Sequence, residues 1–254
     1  RLQMSFLSSG HTTAVLRALS YTSPAAKFKD DTDGIGFYEK VKEIEEDFEG
    51  RKEELIRNLK EISRRIFRDD NMMMSYTSSE EGLVPALDAL ASVRDRLNNG
   101  EEKMDTACVI HCRKRNEGFK TSSKVQYVAR CGNFIDGGQE YTGALQILKV
   151  ILSYDYLWQN IRVKGGAYGC MSSFNRAGEG YLVSYRDPNL EKTVEVFEGV
   201  VDYLKNFTVD DRDMNKFIIG TMSNLDRPMN PAAKGSRSMN LYMNHITEDM
   251  LRQE

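Results

Sequence analysis

The stretch Arg162-Val163-Lys164-Gly165-Gly166-Ala167-Tyr168-Gly169-Cys170 decides how the centre of this chain is read. A helical pattern runs into it from Gly143 to Ile161, with Leu145, Leu148, Leu152 and Tyr156 on one face. Ala167 to Phe174 then reads as a strand, so the glycine pair must carry the turn between helix and strand. A basic residue and a tyrosine stand at either end of that bend. One reading makes Gly165-Gly166 a tight connection and no more. The other makes it a carbonyl clamp, in which Arg162 and Tyr168 both reach one polar group. Arginine supplies a rigid, permanently charged fork of donors, tyrosine a neutral phenol donor, and the glycines let a second main chain pass closely.

Outward from this bend, Gly180 to Tyr185 reads as a second strand, antiparallel to the first, with Asn175 and Gly178 in the turn. Asp187-Pro188 predicts a helix start, and Leu190, Val194, Phe197, Val201 and Leu204 predict its apolar stripe. Thr208 predicts the cap of the next helix, which carries Met214, Phe217, Thr221 and Leu225 until Pro228 and Pro231 break it. Met239, Tyr242 and Met243 mark a further helix. Upstream, Ile35 to Phe67 reads as helix with a break at Gly50, and Met72 to Tyr76 as a short strand. Ser78-x-x-Glu81 resembles a capping box before Leu83, Leu87, Leu90 and Leu97, with Asn98-Asn99-Gly100 as the stop. Ala107 to Cys112 and Val125 to Arg130 read as strands. This order predicts an α+β fold, a mostly antiparallel sheet with helices packed on one face.

Composition suits a globular chain that needs neither nucleic acid nor a membrane. The 254 residues are 29% charged and 40% hydrophobic, with a net charge of -3. No run approaches the ~20 apolar residues of a membrane helix. Cys108, Cys112, Cys131 and Cys170 lack disulfide-framework spacing, which predicts free thiols. The chain opens without an initiator methionine and closes at Glu254 just as a helix starts at Thr247, so we expect an excised C-terminal piece of a longer protein.

Metal chemistry finds no ligand set here. His11, His111 and His245 are scattered, none with a second histidine at helical spacing, and H-x-x-E-H does not occur. In a strand, Cys108 and Cys112 would share a face and His111 would take the other, so the three converge poorly. No P-loop, dinucleotide fingerprint or serine-hydrolase elbow is present. Cys170 has no nearby histidine to activate it and reads as a structural thiol. We expect no metal and no cofactor in this chain.

Three ordered motifs carry a family resemblance: Asp155-Tyr156-Leu157-Trp158 through Gly169, Ser184-Tyr185-Arg186-Asp187-Pro188-Asn189, and Asp226 to Pro231 with Lys234-Gly235. Together they resemble the last domain of the presequence-protease branch of the pitrilysin/insulinase zinc metallopeptidases. The likeness is dense from Val125 to Glu254. Ser9-Gly10-His11 to Phe48, with Gly34-Ile35-Gly36-Phe37-Tyr38, resembles the end of the preceding homologous domain. The resemblance implies a tail over residues 1–50 and a pitrilysin-like terminal domain over 51–254. It implies that Arg162 and Tyr168 act on the scissile carbonyl, with Gly165 and Gly166 beside the substrate. Zinc would sit in the N-terminal half of the same chain, so this piece alone would be inactive. Substrates would be unstructured peptides, in bacterial cytoplasm or in a mitochondrial or plastid matrix. A non-catalytic relative used for binding or assembly is the alternative.

Overall fold

The structure is a computed structural model, and it describes residues 4, 6, 8–98 and 108–254. The chain forms two compact units, Arg1–Lys42 with Val109–Asp226, and Glu43–Cys108 with Arg227–Glu254.

The first unit is built on a three-stranded antiparallel sheet. Its strands are β1 (Ala129–Asn133), β2 (Gly169–Phe174) and β3 (Glu179–Tyr185), with β3 in the centre. The β2–β3 hairpin is antiparallel as predicted, pairing Cys170 with Ser184 and Ser172 with Leu182. Strand β1 starts later than predicted, because the pairing slips at its beginning. Gln126 pairs with Asp187 and Ala129 with Val183, which leaves one extra residue on the β3 side. That is a bulge, and Arg186 occupies it at φ 48°, in the left-handed region.

Helices cover both faces of this sheet, not one. The core face carries Cys170, Ser172 and Ser184 and lies against a long helical segment. That segment is α6 (Ala144–Ile151) continued by two π-helical stretches, Leu152–Tyr156 and Trp158–Val163. Leu152, Leu157, Ile161, Ala167 and Phe197 close this core, the last from α7 (Glu191–Glu198). The opposite face packs against α1 (Gly10–Leu19), where Cys131 Sγ lies 3.8 Å from the carbonyl of Val15. Val183 and Ser184 are consecutive and both buried, as a strand covered on two sides requires. Sequence reading assigned no helix to residues 10–19, and so missed the second layer.

A buried carboxylate ties α1 to α2 (Pro24–Asp33) and to the start of α3 (Ile35–Glu46). Asp30 is fully enclosed. It accepts from Arg17 Nη1 at 2.7 Å and from the backbone N–H of Ile35 and Gly36 at 3.1 and 3.3 Å. Any Cβ on Gly34 would lie 2.4 Å from Asp30 Oδ1, so Gly34 admits the carboxylate. Arg17 Nε also meets Glu117 Oε2 at 2.9 Å.

Several predicted boundaries move. Helix α7 starts at Glu191, not at Asp187-Pro188, because the Asp187 side chain is used elsewhere. The buried positions of α7 are Thr193 and Phe197, while Leu190, Val194 and Val201 are exposed. Val200–Lys205 forms α8. Asp210, not Thr208, caps α9 (Asp211–Leu225), accepting from the N–H of Asp213 at 2.8 Å.

In the second unit, α4 (Phe48–Ile66) follows a break at Asp47, three residues before the predicted one at Gly50. Leu59, Ile62 and Ile66 form the expected stripe and are exposed. Helix α5 (Leu83–Arg94) follows a single 3₁₀ turn, Glu80–Gly82, and no side chain caps it. Met72–Tyr76 and the described part of the 107–112 run pair with no strand, and Ala107 lies outside the described residues. A strand needs a neighbouring edge for its backbone groups, which propensity does not supply. The predicted stop at Asn98–Gly100 is described only at Asn98, which pairs with Arg68. Asn230 caps α10 (Pro231–Met243), with Pro231 at its first position, and Thr247 caps α11 (Glu248–Gln253).

Candidate functional site

The helix that carries Arg162 ends in an unusual way. Leu157 N–H bonds to the carbonyl of Leu152, and Lys164 N–H to that of Gln159 at 3.0 Å, each five residues back. This π winding widens the turn, and such stretches recur at functional sites. At the stop, Ala167 N–H bonds to the carbonyl of Ile161 at 3.1 Å and Gly166 N–H to that of Arg162 at 3.0 Å. Each bond spans one residue more than in the usual left-handed helix stop, as a π-helical end demands. Gly166 takes the left-handed position, at φ 78°. Gly165 is needed for space, since a Cβ there would lie 2.5 Å from the carbonyl oxygen of Ile161.

A loop from β3 pins the bend. Asn189 Nδ2 donates to the carbonyl of Gly165 at 2.6 Å. Asn189 is itself held by Asp187, whose Oδ1 accepts from its N–H at 2.8 Å. Asp187 is fully buried, and its other oxygen accepts from Thr193 Oγ1 at 2.6 Å. Asp187 therefore joins the loop to α7 rather than starting that helix.

The structure brings Arg162 and Tyr168 together. The Arg162 guanidinium donates through Nη1 to the carbonyl of Tyr168. Its Cζ lies 5.4 Å from the centre of the Tyr168 ring and 4.4 Å from that of Trp158. Tyr168 is 64% exposed and Trp158 38%. Gly165 and Gly166 form the bend beside them. The result is an exposed ledge of one cation between two aromatic rings, anchored below by buried residues. It offers donors to an acceptor arriving from solvent.

Sequence reading missed the groups that support this ledge. Tyr168 meets Tyr185 edge to face at 5.7 Å, and Tyr185 meets His11 the same way at 4.8 Å. Tyr127 completes the cluster, 5.7 Å from Tyr185. His11 stands in the first turn of α1, not in a loop turn. Its Nδ1 is enclosed without a hydrogen-bond partner among the described residues, and burial lowers its pKa. Arg186, in the bulge, places Cζ 5.5 Å from the Tyr185 ring. None of this was legible locally, because the partners are brought together only by sheet and α1 packing.

Cys170 lies buried nearby, its thiol pushed up to about 11 by desolvation, with the Arg162 charge opposing. It is a packing residue. Cys108 and Cys112 are free thiols on a segment without regular structure. Among the described residues no three His, Cys, Asp or Glu side chains converge on a point that could hold a metal. Nor is any helix of the described residues long and apolar enough to cross a membrane.

Comparison with known proteins places this sequence in a family. A family model described as the PreP C-terminal domain matches residues 116–254. Protein HypA of Clostridium perfringens is 37% identical over 255 residues, covering 100% of this chain and 26% of that protein. Presequence protease 1, chloroplastic/mitochondrial, of Arabidopsis thaliana is 28% identical over 254 residues, covering 98% and 23%. The mitochondrial presequence protease of Xenopus tropicalis is 25% identical over 272 residues, covering 95% and 26%. The chain spans about a quarter of the length of these curated relatives. It belongs to the presequence-protease family, and residues 116–254 match that family's C-terminal domain.

Proposed function

We propose that this chain is the substrate-holding C-terminal part of a zinc metallopeptidase that degrades unstructured peptides. The observation that carries this reading is the exposed ledge in which Arg162 is stacked between Trp158 and Tyr168. Hydrolysis of a peptide bond builds negative charge on the carbonyl oxygen. Donors aimed at that charge typically contribute a few kcal/mol each, about 10²–10³ in rate. Arg162 has further N–H groups beyond the one given to Tyr168, and the Tyr168 hydroxyl is a second donor. On this reading both act on the scissile carbonyl, while the Gly165-Gly166 bend leaves room for the peptide main chain.

The resemblance to zinc metallopeptidases assigns the metal to the N-terminal half of the parent protein. The chain alone is then inactive, and its first partner is that half. The parent works in bacterial cytoplasm, with the organelle compartments named for several relatives as the alternative.

The test is cleavage of an unstructured peptide by the full-length parent, beside the same peptide locked in a stable fold. Chelator-sensitive cleavage of the unstructured form alone is expected. No cleavage of either form by metal-loaded parent would overturn the enzyme reading in favour of a non-catalytic relative.

A further inference from the structure

We infer that Trp158 is the positioning residue of the clamp: its indole ring holds the Arg162 guanidinium where a substrate carbonyl can be met. The inference rests on the carbonyl-clamp reading and adds a residue to it.

The geometry comes from helical spacing. Trp158 and Arg162 open and nearly close the same π-helical stretch, Trp158–Val163. Residues four apart are neighbours on one helix face, so the arginine stem can run over the indole. The result is the 4.4 Å separation between Cζ and the ring centre, shorter than the 5.4 Å to Tyr168. Tryptophan is the aromatic ring that attracts a cation most strongly. Arginine left alone on a surface samples many rotamers, and each unproductive one lowers the effective concentration of donors. Clamped between two rings, with Nη1 on the Tyr168 carbonyl, the guanidinium keeps one orientation. The anchor at the other end is Leu157, fully buried beside Trp158, so the platform itself is fixed to the core. Trp158 acts through the Arg162 guanidinium, which makes its role indirect.

Activity and spectroscopy of the full-length parent test this. Trp158→Phe and Trp158→Leu should lower kcat/KM for an unstructured peptide in that order. The range expected for loss of a cation–π contact is ~3- to 30-fold. The loss should fall mainly on kcat, and it should vanish in an Arg162→Ala background. Trp158 is the single tryptophan of this chain. Its emission in the parent is therefore the difference between wild type and Trp158→Phe, and Arg162→Ala should change that difference spectrum. Unchanged kcat/KM in Trp158→Leu, or an equal loss with and without Arg162, overturns the inference and leaves the clamp intact. An Arg162→Ala variant with wild-type kcat/KM overturns the clamp reading, and this inference with it.

Discussion

Replacing Gly166 by alanine isolates the conformational requirement of the bend. The residue sits at φ 78°, and the nearest atom to an added Cβ is Pro188 Cγ at 3.7 Å, an ordinary contact. Space is available, so the penalty is backbone strain, ~1–2 kcal/mol for an L-residue in the left-handed region. Alanine also restricts the unfolded chain, which returns ~0.4–1 kcal/mol. The net expectation for Gly166→Ala is a loss of ~0–1.6 kcal/mol. Gly165→Ala is the counterpart. Gly165 is not left-handed, but its Cβ would meet two backbone carbonyls, Ile161 O at 2.5 Å and Asn160 O at 3.0 Å. Neither can rotate away as a side chain would, so the π-helical end must open, at ~2 kcal/mol or more. Equilibrium urea unfolding followed by circular dichroism reads both. The predicted order is wild type, Gly166→Ala, Gly165→Ala. A Gly166→Ala variant more stable than wild type would refute a left-handed Gly166, and a Gly165→Ala variant milder than Gly166→Ala would refute the described helix stop.

Other perturbations probe the surroundings. Arg17→Ala leaves the fully buried Asp30 carboxylate without its cation, and should cost ~3–5 kcal/mol in the same unfolding assay. The Glu117 carboxyl is held down to about 2 chiefly by the Arg17 guanidinium and next by the Tyr21 hydroxyl, against a desolvation that raises it. Its contribution is therefore complete above its ordinary value of 4.5 and is lost as pH falls towards 2. A Glu117→Gln variant should show a shallower fall of the urea midpoint between pH 5 and 3 than wild type, and an identical slope would count against the contact. Burial pushes the Cys131 thiol up to about 12 and Cys170 to about 11, while Cys108 is exposed. Brief alkylation of the native chain at pH 8, read by mass spectrometry, should modify Cys108 well before either of them.

How far the sequence went is clearest at the bend. The glycine pair between an apolar helical pattern and a β-rich run is a local signal, and the hairpin that follows has its own turn residues. Both were legible without tertiary knowledge. What escaped was set by packing. Asp187 looks like a helix cap because a proline follows it, yet the bulge at Arg186 turns its carboxylate into the core, where Thr193 and Asn189 need it more. Of the predicted stripe, Phe197 is buried and Leu204 packs against the core, but Leu190, Val194 and Val201 are exposed and the core takes Thr193 instead. Residues 10–19 mix threonine, histidine, arginine and apolar groups, and only the sheet beneath makes them a half-buried helix. The four-residue spacing of Trp158 and Arg162 is in the sequence, but the 4.4 Å approach of guanidinium to indole appears only in three dimensions. The proximity of Arg162 and Tyr168 was legible because the bend that joins them is local.

The most direct test of the central claim is kcat/KM of the full-length parent on an unstructured peptide, measured for wild type, Arg162→Ala and Tyr168→Phe with metal content matched. The account predicts a loss of ~10²-fold or more in each variant, carried by kcat. Full activity in both variants would contradict it, and would leave the Gly165-Gly166 bend as a structural connection alone.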